Sequence, residues 1–488
     1  MENKNRSLSW TPFSDNLKND LVIVDNELEK SVMELGIFQN VARFGLVKTK
    51  GSSLRQVLFS LFIWPLLTMS SLSFFCGNRM SAFLKGGKDV LYDFLKRQDI
   101  DWRGYRRHAA RQLYKRHRLA ETKIRAATFD DTIKHRRGKK VAATSSHFDH
   151  TLGKHVMGQQ VLEMGLATEK GYVPLDSRVY VGEKKRQYGK NAIVDYRRCV
   201  GREYAAAMYG DKNELFRDSL KRAINAGFDF THVLADSWFG NKENIKSAVS
   251  SSLTAIFRMK RGNLRYVLND KRYTVTELYA LIKRRMTRLG KSRYRTYALN
   301  VYLDLSQDKK NPDLLPIRLV FSSAINQQKD NWVVFLSTDI ELSAEEILEI
   351  YALRWSVEVY FKEVKQHFGF LKEQTGDYAV HFASIHLAAI RFILIAHGAL
   401  SNGVTFGRVR DKITKQLEYL TFARLLWELF RALIFGVLDS LREIIPSATL
   451  VLIKSEINSR VTAFLDQALQ LDEKYVLNEL KAEAIGAL

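Results

Sequence analysis

Polar side chains recur along one side of a predicted helix in the segment YALRWSVEVYFKEVKQHFGF, residues 351–370. Four of them are separated by three, four and seven positions: Tyr351, Arg354, Glu358 and Lys365. At about 100° per residue these side chains fall within an arc of about 60°, with Trp355 and Lys362 beside it. The opposite side carries the residues expected to face the core: Leu353, Val357, Tyr360 and Val364. The stripe is either a functional edge or an ordinary solvated surface with an Arg354–Glu358 pair.

Other carboxylates end predicted strands elsewhere in the chain. The pattern IRAATFD ends in Asp130, which Asp131 follows, and the pattern FTHVLAD ends in Asp236. Because strand ends converge at one edge of an α/β sheet, these acids can meet Glu358 on a covering helix. Three carboxylates without histidine or thiol are hard oxygen ligands, suited to Mg²⁺ or Mn²⁺. Two such ions can promote hydrolysis and transfer of a phosphodiester.

Each of these acids also has an ordinary structural interpretation. Asp130 can be a turn residue, Asp236 a helix N-cap, and Glu358 an ion-pair partner. Neighbours in a strand point to opposite faces, so only one of Asp130 and Asp131 can serve, and the pattern alone does not choose. Glu363 lies about 140° around the helix from Glu358 and is a poor substitute. The joint occurrence of the three acids is what favours a metal site.

The charge balance favours a polyanionic partner. The 488 residues include 76 Lys and Arg against 53 Asp and Glu, a formal net charge of +23. Residues 103–140 hold 14 Lys or Arg with three acids, and residues 258–295 hold 13 with two. Tyrosines interleave both runs, which we interpret as phosphate-binding surfaces of a nucleic-acid-binding protein. The alternative is a merely soluble basic face.

The patterns along the chain indicate three regions. Residues 1–120 carry short helical patterns and a very basic helix, as in a helical DNA-binding domain. Residues 121–400 alternate strands and helices, which predicts a mixed α/β sheet with a β-rich insertion at about 260–340. Trp332 opens one strand of that insertion. Residues 401–488 are helical and are expected to mediate dimerisation.

One apolar stretch, Val57–Phe75, has the length of a membrane span and no charge. Pro65 and five Ser or Thr residues favour a buried helix or helix pair instead. Two cysteines and the absence of a secretory leader pattern favour an intracellular setting. The stretch GEKKRQYGK is not a P-loop, so no nucleoside triphosphate is expected. We therefore expect a cytoplasmic, nucleoid-associated protein without a membrane partner.

The spacing of Tyr351, Arg354, Glu358 and Lys365 resembles the Y-(2)-R-(3)-E-(6)-K signature of a family of bacterial insertion-sequence transposases of the DDE class. The resemblance extends to FDDT around Asp130, to Asp236 and to the β-rich insertion, and it covers roughly residues 121–375. It implies an RNase H-like catalytic core, flanked by helical regions. Its metal ligands would be Asp130, in preference to Asp131, together with Asp236 and Glu358.

The resemblance also implies how DNA is held. The signature's Tyr351, Arg354 and Lys365 would contact phosphates beside the cleaved end, as their chemistry allows. Trp332 resembles a tryptophan that stacks a flipped base, with core packing as the equal alternative. Trp355 and Lys362, on the same polar edge, are further candidate DNA contacts.

The expected function is therefore cut-and-paste DNA transposition. A homodimer would bind terminal inverted repeats and target double-stranded DNA, cut with Mg²⁺ or Mn²⁺, and join strands through a DNA hairpin. Three alternatives stay open: an RNase H-like nuclease without strand transfer, a non-catalytic DNA-binding protein of transposase descent, and a membrane-surface protein.

Overall fold

The computed structural model describes residues 27–138, 141–149, 152–181, 193, 195–290, 292–306, 311–325 and 331–467. Two compact units divide these residues. One, the helical unit, comprises the described parts of Met1–Asn40, Val47–Leu91 and His397–Leu488. The other, the sheet unit, comprises the described parts of Val41–Leu46 and Tyr92–Ala396.

The α-helices of the described residues are, in chain order, α1 (Glu27–Glu34), α2 (Leu54–Leu67), α3 (Leu72–Asn78), α4 (Asp89–Leu95), α5 (Trp102–Arg116), α6 (Cys199–Tyr209), α7 (Lys212–Asn225), α8 (Lys242–Ser250), α9 (Val275–Ile282), α10 (Ala344–Ala352), α11 (Trp355–Gln366), α12 (Tyr378–Asn402), α13 (Phe406–Ser440) and α14 (Ser447–Gln467).

The strands are β1 (Ala126–His135), β2 (Ser145–Asp149), β3 (Lys154–Thr168), β4 (Gly171–Tyr180), β5 (His232–Ala235), β6 (Thr254–Met259), β7 (Arg265–Leu268), β8 (Lys271–Thr274), β9 (Thr287–Arg288), β10 (Tyr294–Asp304), β11 (Leu314–Ala324) and β12 (Trp332–Ser337). Within the described chain they form one sheet, ordered β2-β3-β1-β5-β6-β12-β11-β10-β7-β8, with β4 beside β3 and β9 beside β10.

The sheet is mixed but largely antiparallel, and its parallel part is central. β1, β5 and β6 run parallel to one another, whereas β3 and β12 flank them antiparallel. Helices accompany the sheet, so the predicted mixed α/β class is confirmed.

The helical unit joins residues from both ends of the described chain. α13 packs on α1 and α2, and Lys412 forms a 2.7 Å ion pair with Glu27. The apolar stretch Val57–Phe75 becomes α2 and α3, which are bent by 101°, and the side chains of α2 are mostly buried. The predicted burial is confirmed for α2, whereas α3 buries only Leu72 and Phe75. α12 is also long and apolar enough to span a membrane, but its apolar window is entirely buried.

The basic helix α5 lies in the sheet unit and not in the helical one. Two of its arginines are buried against the sheet, where Arg103 pairs with Asp176 and Arg106 pairs with Glu163. A buried guanidinium in an ion pair cannot contact a phosphate, so the prediction of a phosphate-binding surface is wrong at these two positions. The domain limits 1–120, 121–400 and 401–488 stay predictions.

The segment 351–370 is not one continuous helix. α10 ends at Ala352 and α11 begins at Trp355, and the N–H groups of Leu353 and Arg354 bond to carbonyls three residues back. Such tighter bonding changes the rotation per residue, so the single-helix angles do not apply across the break. α10 begins after Ser343, which forms a capping box with Glu346.

Candidate active site

Two aspartates lie side by side where the central parallel strands separate. Phe129 of β1 is paired with Ala235 of β5, and the following residues are Asp130 and Asp236. Neighbouring strands are about 4.8 Å apart, so the two carboxylates come from adjacent backbone positions. β1 does not end at Asp130 as predicted. It continues to His135 because its pairing with β3 extends beyond the end of β5.

A buried aromatic cluster supports this edge of the sheet. The Phe216 ring of α7 lies 3.9 Å from the Phe129 ring and 5.0 Å from the Phe239 ring, measured between ring centroids. Phe257 of β6 packs against the same ring at 6.3 Å. All four rings are buried, and close packing of this kind leaves the strand ends little freedom to shift.

Arg354 joins the third carboxylate to the first. Its Nη1 donates a 2.8 Å hydrogen bond to Asp130 Oδ2, and its Nη2 donates a 2.5 Å hydrogen bond to Glu358 Oε1. Burial lowers the pKa of Arg354, but the neighbouring Tyr351, Asp130 and Glu358 outweigh it and raise the pKa. The guanidinium therefore stays charged between two carboxylates.

The two aspartates are electrostatically costly to ionise. Burial raises the pKa of Asp130 to about 6; Arg354 opposes the shift, and Asp131 and Asp236 add to it. Burial also raises the pKa of Asp236, and the charge of Asp131 contributes to that shift. Clustered carboxylates with raised pKa values mark a place where a bound cation would offset repulsion.

The local partners of Asp131 and Asp236 bear on two alternatives: whether Asp130 or Asp131 serves in the site, and whether Asp236 is a helix N-cap. The Asp131 carboxylate pairs with Lys212 and accepts a 2.9 Å hydrogen bond from Gln160, whereas Asp130 faces Arg354. Asp236 does not cap α8, because Asn241 does. The Asp236 carboxylate instead accepts the backbone N–H of Trp238 at 3.0 Å.

The remaining signature residues surround the same edge. The Tyr351 ring packs 4.6 Å from Phe335, and burial raises the pKa of its hydroxyl to about 12. Lys365 is half-buried, and burial lowers its pKa, an effect that nearby Asp149 and Asp130 oppose.

Trp355 and Lys362 are exposed on α11, where either could reach a ligand. Trp332, in contrast, is 5% exposed. Its indole stacks on Tyr279 at 4.2 Å and 12°, and the Arg261 guanidinium lies 4.2 Å from the ring centre. The geometry supports the packing alternative for Trp332, since base stacking would require a covering group to move.

A metal site fits the chemistry of this edge. Asp130, Asp236 and Glu358 offer only carboxylate oxygens, the ligands that Mg²⁺ and Mn²⁺ prefer. Within the described ranges, no three His, Cys, Asp or Glu side chains stand close enough together to hold an ion. Arg354 instead pairs with both Asp130 and Glu358, where a metal ion would otherwise offset their charge.

Three residues at this edge were not singled out from the sequence. Arg258 follows the β6 residue Phe257, which is paired with Ala235, and so lies next to Asp236 in the register. Lys212 and Trp238 also lie there. Two of the three had a signal, because Trp238 comes two residues after Asp236 and Arg258 opens the second basic run, whereas Lys212 had none.

Comparison with known families agrees with this geometry. Residues 78–275 match the family described as DDE superfamily endonuclease, and residues 179–393 match the family described as transposase DDE domain. No curated protein matches the chain. The two matched ranges overlap across Asp236 and together include Asp130 and Glu358. Residues 78–393 are therefore similar to DDE-class endonuclease and transposase domains.

Proposed function

We propose that the protein is a cut-and-paste DNA transposase of the Y-(2)-R-(3)-E-(6)-K family, with an RNase H-like core. The observation that carries the proposal is that Asp130 is linked both to Asp236, by strand register, and to Glu358, through Arg354, although the three residues come from distant parts of the chain. Asp130 and Asp236 are register neighbours, and Asp130 shares the Arg354 guanidinium with Glu358.

Asp130, Asp236 and Glu358 would hold Mg²⁺, for which Mn²⁺ could substitute. The bound ions would supply activation of a water or a 3′ hydroxyl and stabilisation of the leaving oxygen. Arg354 would exchange its carboxylate partners for a DNA phosphate, onto which its fork of donors fits. Tyr351 would donate one hydrogen bond to the same backbone.

Other cations and aromatics would extend the contact with DNA. Lys365, Lys362 and Trp355 continue the surface along α11. In the second basic run, Lys283, Arg284 and Arg285 are exposed and can neutralise phosphates of a terminal repeat. The N-terminal helices would contribute further repeat contacts. These cations favour double-stranded DNA as the partner. A protein bound to that partner would be nucleoid-associated in the cytoplasm.

A second copy of the chain would complete the assembly, because two ends must be brought together. α13 exposes a face of large apolar side chains, among them Tyr419, Phe422, Leu425, Leu429, Phe430, Leu433, Ile434 and Val437. A stripe of this size is typical of an interface. We assign it to homodimerisation.

The test is cleavage of linear DNA that carries the gene's own flanking sequence, with Mg²⁺. Wild type should nick at defined flank positions, and Glu358→Gln should not, although both bind the DNA. Glu363→Gln, on the same helix, is the matched control and should cut normally. Equal cutting by wild type and Glu358→Gln would refute the proposed site.

The products of the same reaction distinguish transposition from simple cleavage. On a denaturing gel, a hairpin runs as a single strand of twice the end's length, and a strand-transfer product runs as a branched species joined to target DNA. Nicked DNA without either product would make the protein an RNase H-like nuclease. Binding without cutting in Mg²⁺ or Mn²⁺ would make it a DNA-binding protein only.

A further inference from the structure

A cation-lined cleft opens directly beside Asp236. It has a volume of about 260 Å³, and its lining includes Ser237, Arg258, Lys260 and Arg261, with Trp332 in its wall. Arg258 and Lys260 are exposed residues at the end of β6, the parallel neighbour of β5. The cleft therefore continues the sheet edge that carries Asp130 and Asp236.

An exposed tryptophan stands at the same place. Trp238 is 52% exposed, although its backbone N–H is held by the Asp236 carboxylate at 3.0 Å. Lys260 Nζ lies 4.3 Å from the centre of its ring, and Lys212 Nζ lies 4.9 Å from it. Lys212 is anchored by Asp131 and nearly buried, whereas Lys260 is exposed and free to swing away on its long stem.

The combination of an exposed aromatic ring and a basic cleft has a specific chemical meaning. Bases inside a duplex are stacked on both sides, so an internal base can offer its face to an indole only after it leaves the stack. Proteins that bind single strands pair such aromatic platforms with cations that follow the backbone. A duplex surface needs the cations but not the exposed ring.

We propose that Trp238 and this cleft, named the strand cleft, bind an unpaired DNA strand at the cut. One base stacks on Trp238 in place of Lys260, and the neighbouring phosphates contact Arg258 and Lys260. The inference rests on the proposed function, because it takes the edge with Asp236 to be a DNA site. It adds the form of DNA that this part of the site selects.

The test compares binding of two DNAs by fluorescence anisotropy, in EDTA and at one fixed salt concentration. One is a blunt duplex, and the other is the same duplex with an unpaired fork of several thymidines. Wild type should bind the fork about tenfold more tightly, within the range for stacking a base on an aromatic ring. Trp238→Ala should lose that preference and keep its affinity for the duplex.

Two variants control the experiment. Trp238→Phe keeps an aromatic face and should retain most of the preference. Tyr196→Ala removes another aromatic side chain that is 51% exposed and should behave as wild type. If Trp238→Ala does not fold, Lys260→Gln gives a second measurement, since it should reduce the salt slope of fork binding by about one.

Equal affinities of wild type for fork and duplex, or a preference that survives in Trp238→Ala, would overturn the proposal. Because EDTA prevents cutting, the result is independent of catalysis. A fork preference in a protein that never cuts DNA would support the proposed role of the strand cleft and refute the proposed function.

Discussion

The Arg354 guanidinium donates a 2.8 Å hydrogen bond to Asp130, a residue 224 positions away in the chain. The same guanidinium donates to Glu358 at 2.5 Å. One cation thus neutralises two carboxylates that would otherwise repel each other and Asp236. The residue assigned to DNA phosphate is therefore also the counter-ion of the site when neither phosphate nor metal is bound.

Arg354→Ala should impair cleavage much more than binding. Loss of a charge-stabilising group at a reacting phosphate lowers the rate by about a hundredfold or more, whereas one contact contributes little to a long DNA interface. Arg354→Lys should fall between, since it keeps the charge but not the fork. Gel shift and cleavage on the same DNA measure both effects. Parallel losses in the two assays would argue against the phosphate role.

Asp130→Asn and Asp131→Asn should affect different properties. Asp130→Asn should abolish cleavage with little loss of stability, because burial already disfavours its ionised form. Asp131→Asn should lower the free energy of unfolding by about 1–3 kcal/mol, because it leaves Lys212, whose side chain is 6% exposed, without its partner carboxylate. Urea unfolding and cleavage assays on both variants check this, and the reverse assignment would show that Asp131 is the ligand.

The buried ion pairs of α5 should matter for stability. Arg103 and Asp176 have side chains only 2% and 3% exposed, so Asp176→Asn should cost about 3–5 kcal/mol of unfolding free energy. Asp93→Asn is the control, because the Lys96–Asp93 pair is exposed and should contribute less than about 1 kcal/mol. Similar losses for both variants would mean that burial does not set the strength of these pairs.

The same aspartate should make stability fall in acid. Burial raises the pKa of Asp176, but Arg103 and neighbouring arginines outweigh it and hold the pKa well below its usual range. Its charged form therefore stabilises the fold above the unfolded pKa of about 3.9, and that contribution is lost as the pH falls from there towards the folded pKa. Unfolding in urea between pH 6 and pH 3 should show a steeper loss for wild type than for Asp176→Asn.

The apolar face of α13 should control the oligomeric state. Leu429 and Leu433 are each 59% exposed, so introducing two charges with Leu429→Glu and Leu433→Glu should convert a dimer to a monomer. Glu428→Ala changes the far side of the helix and should leave the dimer intact. Light scattering after gel filtration gives the mass directly. A monomeric wild type would refute the assignment of this face to homodimerisation.

Local patterns predicted the elements well, because strand alternation and helix caps depend on near neighbours. β12 starts at Trp332, as predicted. Burial was harder to predict. Arg103 and Arg106 resemble DNA-binding residues in a basic run, and only their distant partners on β3 and β4 show that they belong to the core.

The site was predictable in its residue types and not in its contacts. Strand-ending aspartates and a helical glutamate indicated a shared edge, but no local pattern could reveal that Arg354 bridges two of them. The tightened turn between α10 and α11 also depends on packing. Trp238 was visible in the sequence, yet its exposure beside Asp236 emerges only from the fold.

Because Phe129 is paired with Ala235, the register of β1 and β5 must be kept, whereas the length of the loops between them can vary. A slip of one residue between β1 and β5 would move one aspartate by about 3.3 Å and turn it to the other face of the sheet. The length of chain between the two strands has no such effect. Insertions and deletions in the intervening loops should therefore be accepted by natural or laboratory evolution, whereas a single residue added within either strand should disrupt the proposed site.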